Sequence, residues 1–283
     1  MKFSHTIFAM PFAMIGLVLG YSFHYQFVPE STIQFFIIKL FLVLLCMVSA
    51  RNAAMAFNRY IDRKYDEQNP RTAIREIPSG IIPPKNALIF VLVNCFLFVG
   101  AAYSINKLCF FLSPIALVVI LGYSLTKRFT FLCHLVLGLG LALAPIGAFL
   151  AITGVFSLLP LFFSFAVLCW VSGFDIIYAL QDEQFDKANQ LYSIPSYFGQ
   201  QNAKWIARFL HLLSAAFIIT AGVSGGFHAL FWVGVVCFCI LLIYQHALVI
   251  RYGLEKIDMA FFTTNGIASV VFASFVIADI LIL

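Results

Sequence analysis

The sequence is divided into repeated runs of about 20 apolar residues, and that repetition leaves few folds open. Residues 6–23, 33–58, 86–105, 108–124, 131–150, 157–181, 203–224, 228–249 and 260–281 each hold such a run. Backbone in lipid must satisfy its own hydrogen bonds, so runs this long and this apolar predict membrane-spanning helices. Composition points the same way. Hydrophobic residues make up 63% of the 283, charged residues only 10%, and the mean hydropathy is +1.00. A water-soluble globule of this size has too little interior to hide that excess. The expected fold is all-α and polytopic, with about nine transmembrane helices in one domain spanning residues 1–283. The first run follows Lys2 as a signal peptide would, but it lacks a small-x-small cleavage site and reads as the first membrane helix. Pro29, Pro83-Pro84, Ser113-Pro114, Gly154 and Gly225-Gly226 are expected to mark breaks between spans.

Nine spans make the connections alternate between two sides. Apart from Lys39, Arg51 and Lys107, every lysine and arginine then falls on one side, with Lys2 at its start. The positive-inside rule makes that side cytoplasmic, places the N-terminus there, and accounts for the net charge of +5 without invoking nucleic acid. Two long polar loops, 59–85 and 182–202, share the cytoplasmic side, which is where the chemistry is expected. The seven cysteines form no C-x-x-C pair and read as small buried apolar residues.

Acidic residues are scarce, and half of the 12 lie in two windows. The first holds Asn58, Asp62 and Asp66, spaced i, i+4, i+8. On a helix each such step turns by only about 40°, so the three share a face. The second holds Asp175, Asp182 and Asp186, with Glu183 between; steps of seven and four keep its aspartates nearly in line on a continuous helix. The D-x-x-x-D spacing repeats at an offset of 120 residues. Mg²⁺ takes oxygen ligands and is often held by one or two carboxylates together with substrate phosphates. Two such clusters facing each other could hold a diphosphate through bound Mg²⁺. The plainer alternative is a solvated helix end whose acids pair with Arg59, Arg63, Lys64 and Lys187.

These motifs resemble those of the UbiA superfamily of intramembrane aromatic prenyltransferases. The N-x-x-x-D-x-x-x-D signature stands as Asn58, Asp62 and Asp66, followed by Asn69-Pro-Arg-Thr and Pro78-Ser-Gly80. The D-x-x-Y-A-x-x-D-x-x-x-D signature stands as Asp175, Tyr178, Asp182 and Asp186, followed by Ser193-Ile-Pro195. Tyr123, Lys127, Arg128, Phe129 and Thr130 match a third family feature, and the start from His5 is similar too. The run from Arg51 to Asn58 is most similar to the bacterial 4-hydroxybenzoate polyprenyltransferase-like branch, which includes members serving menaquinone synthesis.

The resemblance implies a central cavity capped by cytoplasmic loops, in a multi-pass protein of the bacterial inner membrane. It implies transfer of a polyprenyl group from polyprenyl diphosphate to a small aromatic acceptor, with Mg²⁺ as cofactor, in respiratory quinone biosynthesis. Asp62, Asp66, Asp182, Asp186 and Asn58 would hold the metal, with Asp62 and Asp182 acting in catalysis. Asp175, deeper on the same face, would polarise the acceptor or reach metal through water. Lys127, Arg51, Arg71 and Arg75 would bind diphosphate, while Arg128, Tyr123 and Tyr178 would meet the acceptor or line the path of the allylic cation. His5 is a further residue near the site, whereas His24, His134, His211, His228 and His246 show no ligand spacing. A transporter or divalent-cation channel would instead distribute acids along the spans, and the outer half offers only Glu30 and Asp279. A CDP-alcohol phosphotransferase would need D-G-x-x-A-R, which is absent.

Overall fold

In the computed structural model, which describes residues 8–27 and 33–282, the apolar runs are helices and no strand occurs among the described residues. Lys2, His5, Pro29 and Glu30 lie outside the described residues. The long helices are α1 (Met10–Phe27), α2 (Ile33–Gln68), α3 (Pro84–Ile105), α4 (Lys107–Thr126), α5 (Cys133–Thr153) and α6 (Leu158–Ala179). A 3₁₀ turn (Leu180–Asp182) and the short α7 (Glu183–Ala188) follow, then α8 (Ile194–Gly225), α9 (Ala229–Tyr252), a π turn (Met259–Thr264) and α10 (Asn265–Ile282). Eight of these segments are long and apolar enough to cross a membrane, and α1 is the ninth long helix, packed beside α5 and α10. Large apolar side chains such as Phe96, Phe111, Val118, Leu212 and Ile243 face outward, as a surface solvated by lipid requires.

Three boundaries differ from the hydropathy reading. Helix α2 does not stop at residue 58. It continues to Gln68, 36 residues in all or roughly 54 Å, well beyond a hydrocarbon core of about 30 Å. Ser113-Pro114 does not break a span but lies inside α4. The break between α3 and α4 falls at Asn106. There an extended backbone ends one helix while the Asn106 side chain accepts a hydrogen bond from the Cys109 N–H and donates to the Leu150 carbonyl (both 2.8 Å). The expected loop 182–202 contains α7 and the first turns of α8. Helix α8 starts early because Ser193 and Ser196 cap each other reciprocally and Pro195 fits the first turn. Gly199, with φ of 78°, kinks α8 where its apolar part begins.

Helix α6 lies at the centre, against α5 on one side and α8 on the other. Trp170, Phe12, Phe163, Phe174, Phe231, Phe238 and Phe272 are fully buried around it, which gives several of the 33 phenylalanines a packing role. At the end opposite the motif aspartates, Asp279 of α10 caps α9. Its carboxylate accepts the N–H groups of His228 (2.8 Å) and Phe231 (3.1 Å) while only 2% exposed. That position gives Asp279 a structural task rather than a place on an ion path. Asp279→Ala is expected to destabilise the fold by about 1–2 kcal/mol. Thermal unfolding in detergent should show a lowered midpoint, with the KM for prenyl diphosphate unchanged.

Candidate active site

The extension of α2 carries the first acidic motif out of the bundle as one helical face. Asn58 donates from Nδ2 to Asp62 (3.1 Å) one turn on. After Gln68 the chain turns back, and this segment ties the two motifs together. Asn69 donates to Asp182 (3.2 Å), and Arg71 grips the same carboxylate with two bonds, from Nε (3.0 Å) and Nη2 (2.5 Å). Arg71 also reaches the Tyr178 hydroxyl (3.3 Å). Arg75, four residues further, contacts both oxygens of Asp66 (2.8 and 2.9 Å). The end of α4 supplies the remaining cations. Lys127 pairs with Asp186 (2.7 Å), and Arg128 contacts Asp62 (3.2 Å) and the Ile61 carbonyl (2.9 Å).

The second motif is not one continuous helix. Asp175 is on α6, Asp182 ends the 3₁₀ turn, and Asp186 is on α7, so the in-line arrangement expected from steps of seven and four does not occur. The tighter turn re-aims Asp182 toward the 69–75 segment, and Ser193 donates to Asp186 (2.9 Å). Pairing with neighbouring bases is also not what the motif aspartates do. Arg59 pairs with Glu76, and Lys187 with Glu183 (2.7 Å), leaving the motif acids to partners brought from other elements. Their side chains are half-buried to buried, from 26% exposed at Asp62 to 0% at Asp186. Burial works against the charge of Lys127, but the Asp186 carboxylate outweighs it and lifts the ammonium's pKa above the ordinary lysine value. Burial acts on Arg71 in the same sense and is likewise outweighed, here by its hydrogen bonds to Asp182.

The motif aspartates and the bases paired with them open onto one cavity of about 740 Å³. Asn58, Asp62, Asp66, Asp175, Asp182 and Asp186 line it together with Arg51, Arg71, Arg75, Lys127, Arg128, Tyr123 and Tyr178. The acids and bases lie at one end. From there the wall turns apolar along α2, α4 and α5, past Leu112, Leu143 and Val43. On α2 alone the lining runs from Asp66 back to Val43, roughly 35 Å of helix. Arg51 stands on this wall two turns inward of Asn58.

One side chain at the cavity had no signal in the sequence. His134, at the start of α5 and 4% exposed, lies with Nδ1 2.7 Å from the Asp175 carboxylate. Forty-one positions separate the two, so only the packing of α5 on α6 brings them together. Asn69 and Ser193 also carry no role in the sequence reading; Asn69 follows the first motif but donates to Asp182 of the second, and Ser193 follows the second and donates to its Asp186.

The donor set fits a hard divalent cation. It is all oxygen, and it comes as two pairs of aspartates at the mouth of one cavity. Among the described residues no three His, Cys, Asp or Glu side chains converge closely enough to hold a metal ion by themselves. That arrangement suits Mg²⁺, which is commonly completed by water and substrate phosphates, better than a closed structural metal site.

Comparison with known proteins agrees with this geometry. The sequence pattern of the UbiA prenyltransferase family matches residues 9–267. A 4-hydroxybenzoate octaprenyltransferase from Aliivibrio fischeri is 32% identical over 237 residues, which cover 82% of this chain and 81% of that one. The apo structure of a UbiA homolog from Aeropyrum pernix K1 superposes with a TM-score of 0.86 at 28% identity, covering 99% of both chains. A UbiA homolog from Archaeoglobus fulgidus, solved bound to GPP and Mg²⁺, shares the fold with a TM-score of 0.67 at 20% identity. That match covers 98% of this chain and 99% of that one.

Proposed function

The chain belongs to the UbiA prenyltransferase family, a multi-pass membrane enzyme that transfers prenyl groups, and from that premise we propose its substrates and the work of its residues. The donor is a polyprenyl diphosphate. The acceptor is a small hydroxylated aromatic, 4-hydroxybenzoate-like or naphthoate-like, and the product serves respiratory quinone synthesis. The reaction takes place at the cytoplasmic face of the bacterial inner membrane, with the N-terminus on that same side. One observation carries this reading. Two carboxylate pairs and a ring of cations share the polar end of a cavity whose wall beyond Arg51 is mainly apolar along α2, α4 and α5. A diphosphate bearing a long hydrocarbon tail has the same division.

Asp62, Asp66, Asp182 and Asp186, with Asn58, would hold Mg²⁺, which would neutralise charge building on the departing diphosphate. Arg71, as a bidentate donor, and Arg75 bind that diphosphate and close over it, since both belong to the segment that bridges the two motifs. Lys127 contributes a point charge, and Arg51 contributes charge deeper on the wall. Once the allylic C–O bond breaks, the faces of Tyr123 and Tyr178 stabilise the cation, while the tilted contact of Tyr178 with Phe261, 4.2 Å between centroids, holds one of them in place. Arg128 orients the acceptor. The curated relative named for 4-hydroxybenzoate and the fold relative carrying GPP and Mg²⁺ are in keeping with this reading.

The test is incubation of membranes containing the protein with labelled polyprenyl diphosphate and either 4-hydroxybenzoate or 1,4-dihydroxy-6-naphthoate. Product from one acceptor, lost on chelation and restored by Mg²⁺, is expected. Absence of product from both, with the folded protein present, would overturn the aromatic reading.

A further inference from the structure

Electrophilic substitution on a hydroxylated ring is accelerated by a group that takes the hydroxyl proton as the carbon–carbon bond forms, because this raises the electron density of the ring. Among the described residues Asp62, Asp66, Asp182 and Asp186 are each paired with Arg or Lys. His134 is placed differently. It lines the cavity, and its Nδ1 meets Asp175 at 2.7 Å. A carboxylate can only accept, so Nδ1 carries the hydrogen, and the lone pair of the neutral ring lies on Nε2. That Nε2 is buried and has no hydrogen-bond partner among the described residues. The adjacent Cys133 thiol lies near the ring and also reaches the carbonyls of Phe131 (3.9 Å) and Tyr192 (3.5 Å). The backbone at His134 is fixed as well, because Ser172 of α6 donates to its carbonyl (3.1 Å). A buried acceptor nitrogen without a partner is costly unless something fills the position in use.

We infer that His134 Nε2 is the proton acceptor for the ring hydroxyl of the aromatic substrate, and that Asp175 is the positioning residue that fixes its tautomer. The inference rests on the proposed aromatic acceptor. The allylic C–O bond breaks with its electron pair on the diphosphate. The ring carbon beside the hydroxyl-bearing carbon forms the new C–C bond, and the hydroxyl proton passes to Nε2, leaving a dienone. The proton on the newly substituted carbon then leaves to the diphosphate, the imidazolium returns its proton to the oxygen, and the ring is aromatic again. Asp175 stabilises the transient imidazolium as carboxylates do behind other catalytic histidines. The titratable groups near the ring are Asp175 of α6 and Cys133 beside it, with Tyr123 of α4 in electrostatic reach of Asp175.

The experiment uses the full chain in membranes and the variants His134→Gln and His134→Ala. Turnover is expected to fall roughly 100-fold or more, with the KM for polyprenyl diphosphate within about threefold of wild type. Two readouts separate a base from a packing role. Added imidazole should restore part of the turnover of His134→Ala. A ring-fluorinated acceptor, whose hydroxyl ionises more readily, should narrow the gap between variant and wild type. Binding of labelled diphosphate shows that each variant is folded. Wild-type turnover in His134→Gln, or an equal loss on both acceptors with no rescue in a variant that still binds diphosphate, would overturn the inference. A wild-type protein that prenylates neither aromatic acceptor overturns the acceptor reading instead, so the two failures are distinguishable.

Discussion

Asp182→Ala should cut prenyl transfer by roughly 100- to 1,000-fold in a protein that still folds and inserts. Asp182 is the carboxylate on which the two halves of the site meet, taking hydrogen bonds from Asn69 and from two nitrogens of Arg71. Its removal takes one charge from the second metal-binding pair and leaves Arg71 without its bidentate partner at the same time. Asp182→Asn keeps an acceptor for Asn69 but not the charge, so it should fall between wild type and Ala in diphosphate binding and lie close to Ala in turnover. Asp62→Ala should behave alike from the other side of the mouth, where the partner is Arg128. The measurement is the initial rate against Mg²⁺ concentration with labelled polyprenyl diphosphate. The variants should need more Mg²⁺ for half-maximal rate as well as turning over more slowly. Full activity in Asp182→Ala would remove that residue from the metal-holding role and with it the paired-cluster reading.

How much of this was legible in the sequence follows the range of the interactions. The spans and the two acidic motifs are local features, set by periodicity and composition, and they could be read directly. Hydropathy ended the second span at residue 58, because it reports where lipid ends rather than where a helix ends, and only the i, i+4, i+8 spacing of Asn58, Asp62 and Asp66 pointed to the helix that continues to Gln68. The break at Leu180–Asp182 was hidden for a similar reason. Nothing in Asp175 to Asp186 forbids a continuous helix, and the 3₁₀ turn is favoured by partners 111 and 113 positions away, Arg71 and Asn69. Arg71 and Arg75 were identified as candidates from the loop they occupy. That each would be matched to one aspartate of a different motif depends on the fold-back of residues 69–75. His134 is the extreme case. An isolated histidine has no spacing to read, and its meaning comes only from α5 packing on α6.

That packing depends on a glycine one turn beyond His134, and Gly138→Ala should disturb it. A methyl group at Gly138 would meet the Ser172 hydroxyl and stand 2.6 Å from the Leu168 carbonyl, both on α6. Neither is the free end of a flexible side chain: one is backbone, and Ser172 is held by its bonds to the carbonyls of Leu168 (2.7 Å) and His134 (3.1 Å). The helices must therefore separate locally. Forcing an extra carbon into a well-packed contact costs about 1–3 kcal/mol. Here the separation also lengthens the Asp175–His134 contact a turn away, so activity should fall several-fold even where the protein remains folded. Gly147→Ala on the same helix meets nothing within 4 Å and serves as the comparison, with an unfolding temperature at or slightly above wild type. Thermal unfolding in detergent and initial rates on the same preparations decide the matter. If Gly138→Ala matched Gly147→Ala in both, the α5–α6 contact would not be what positions the His134–Asp175 pair.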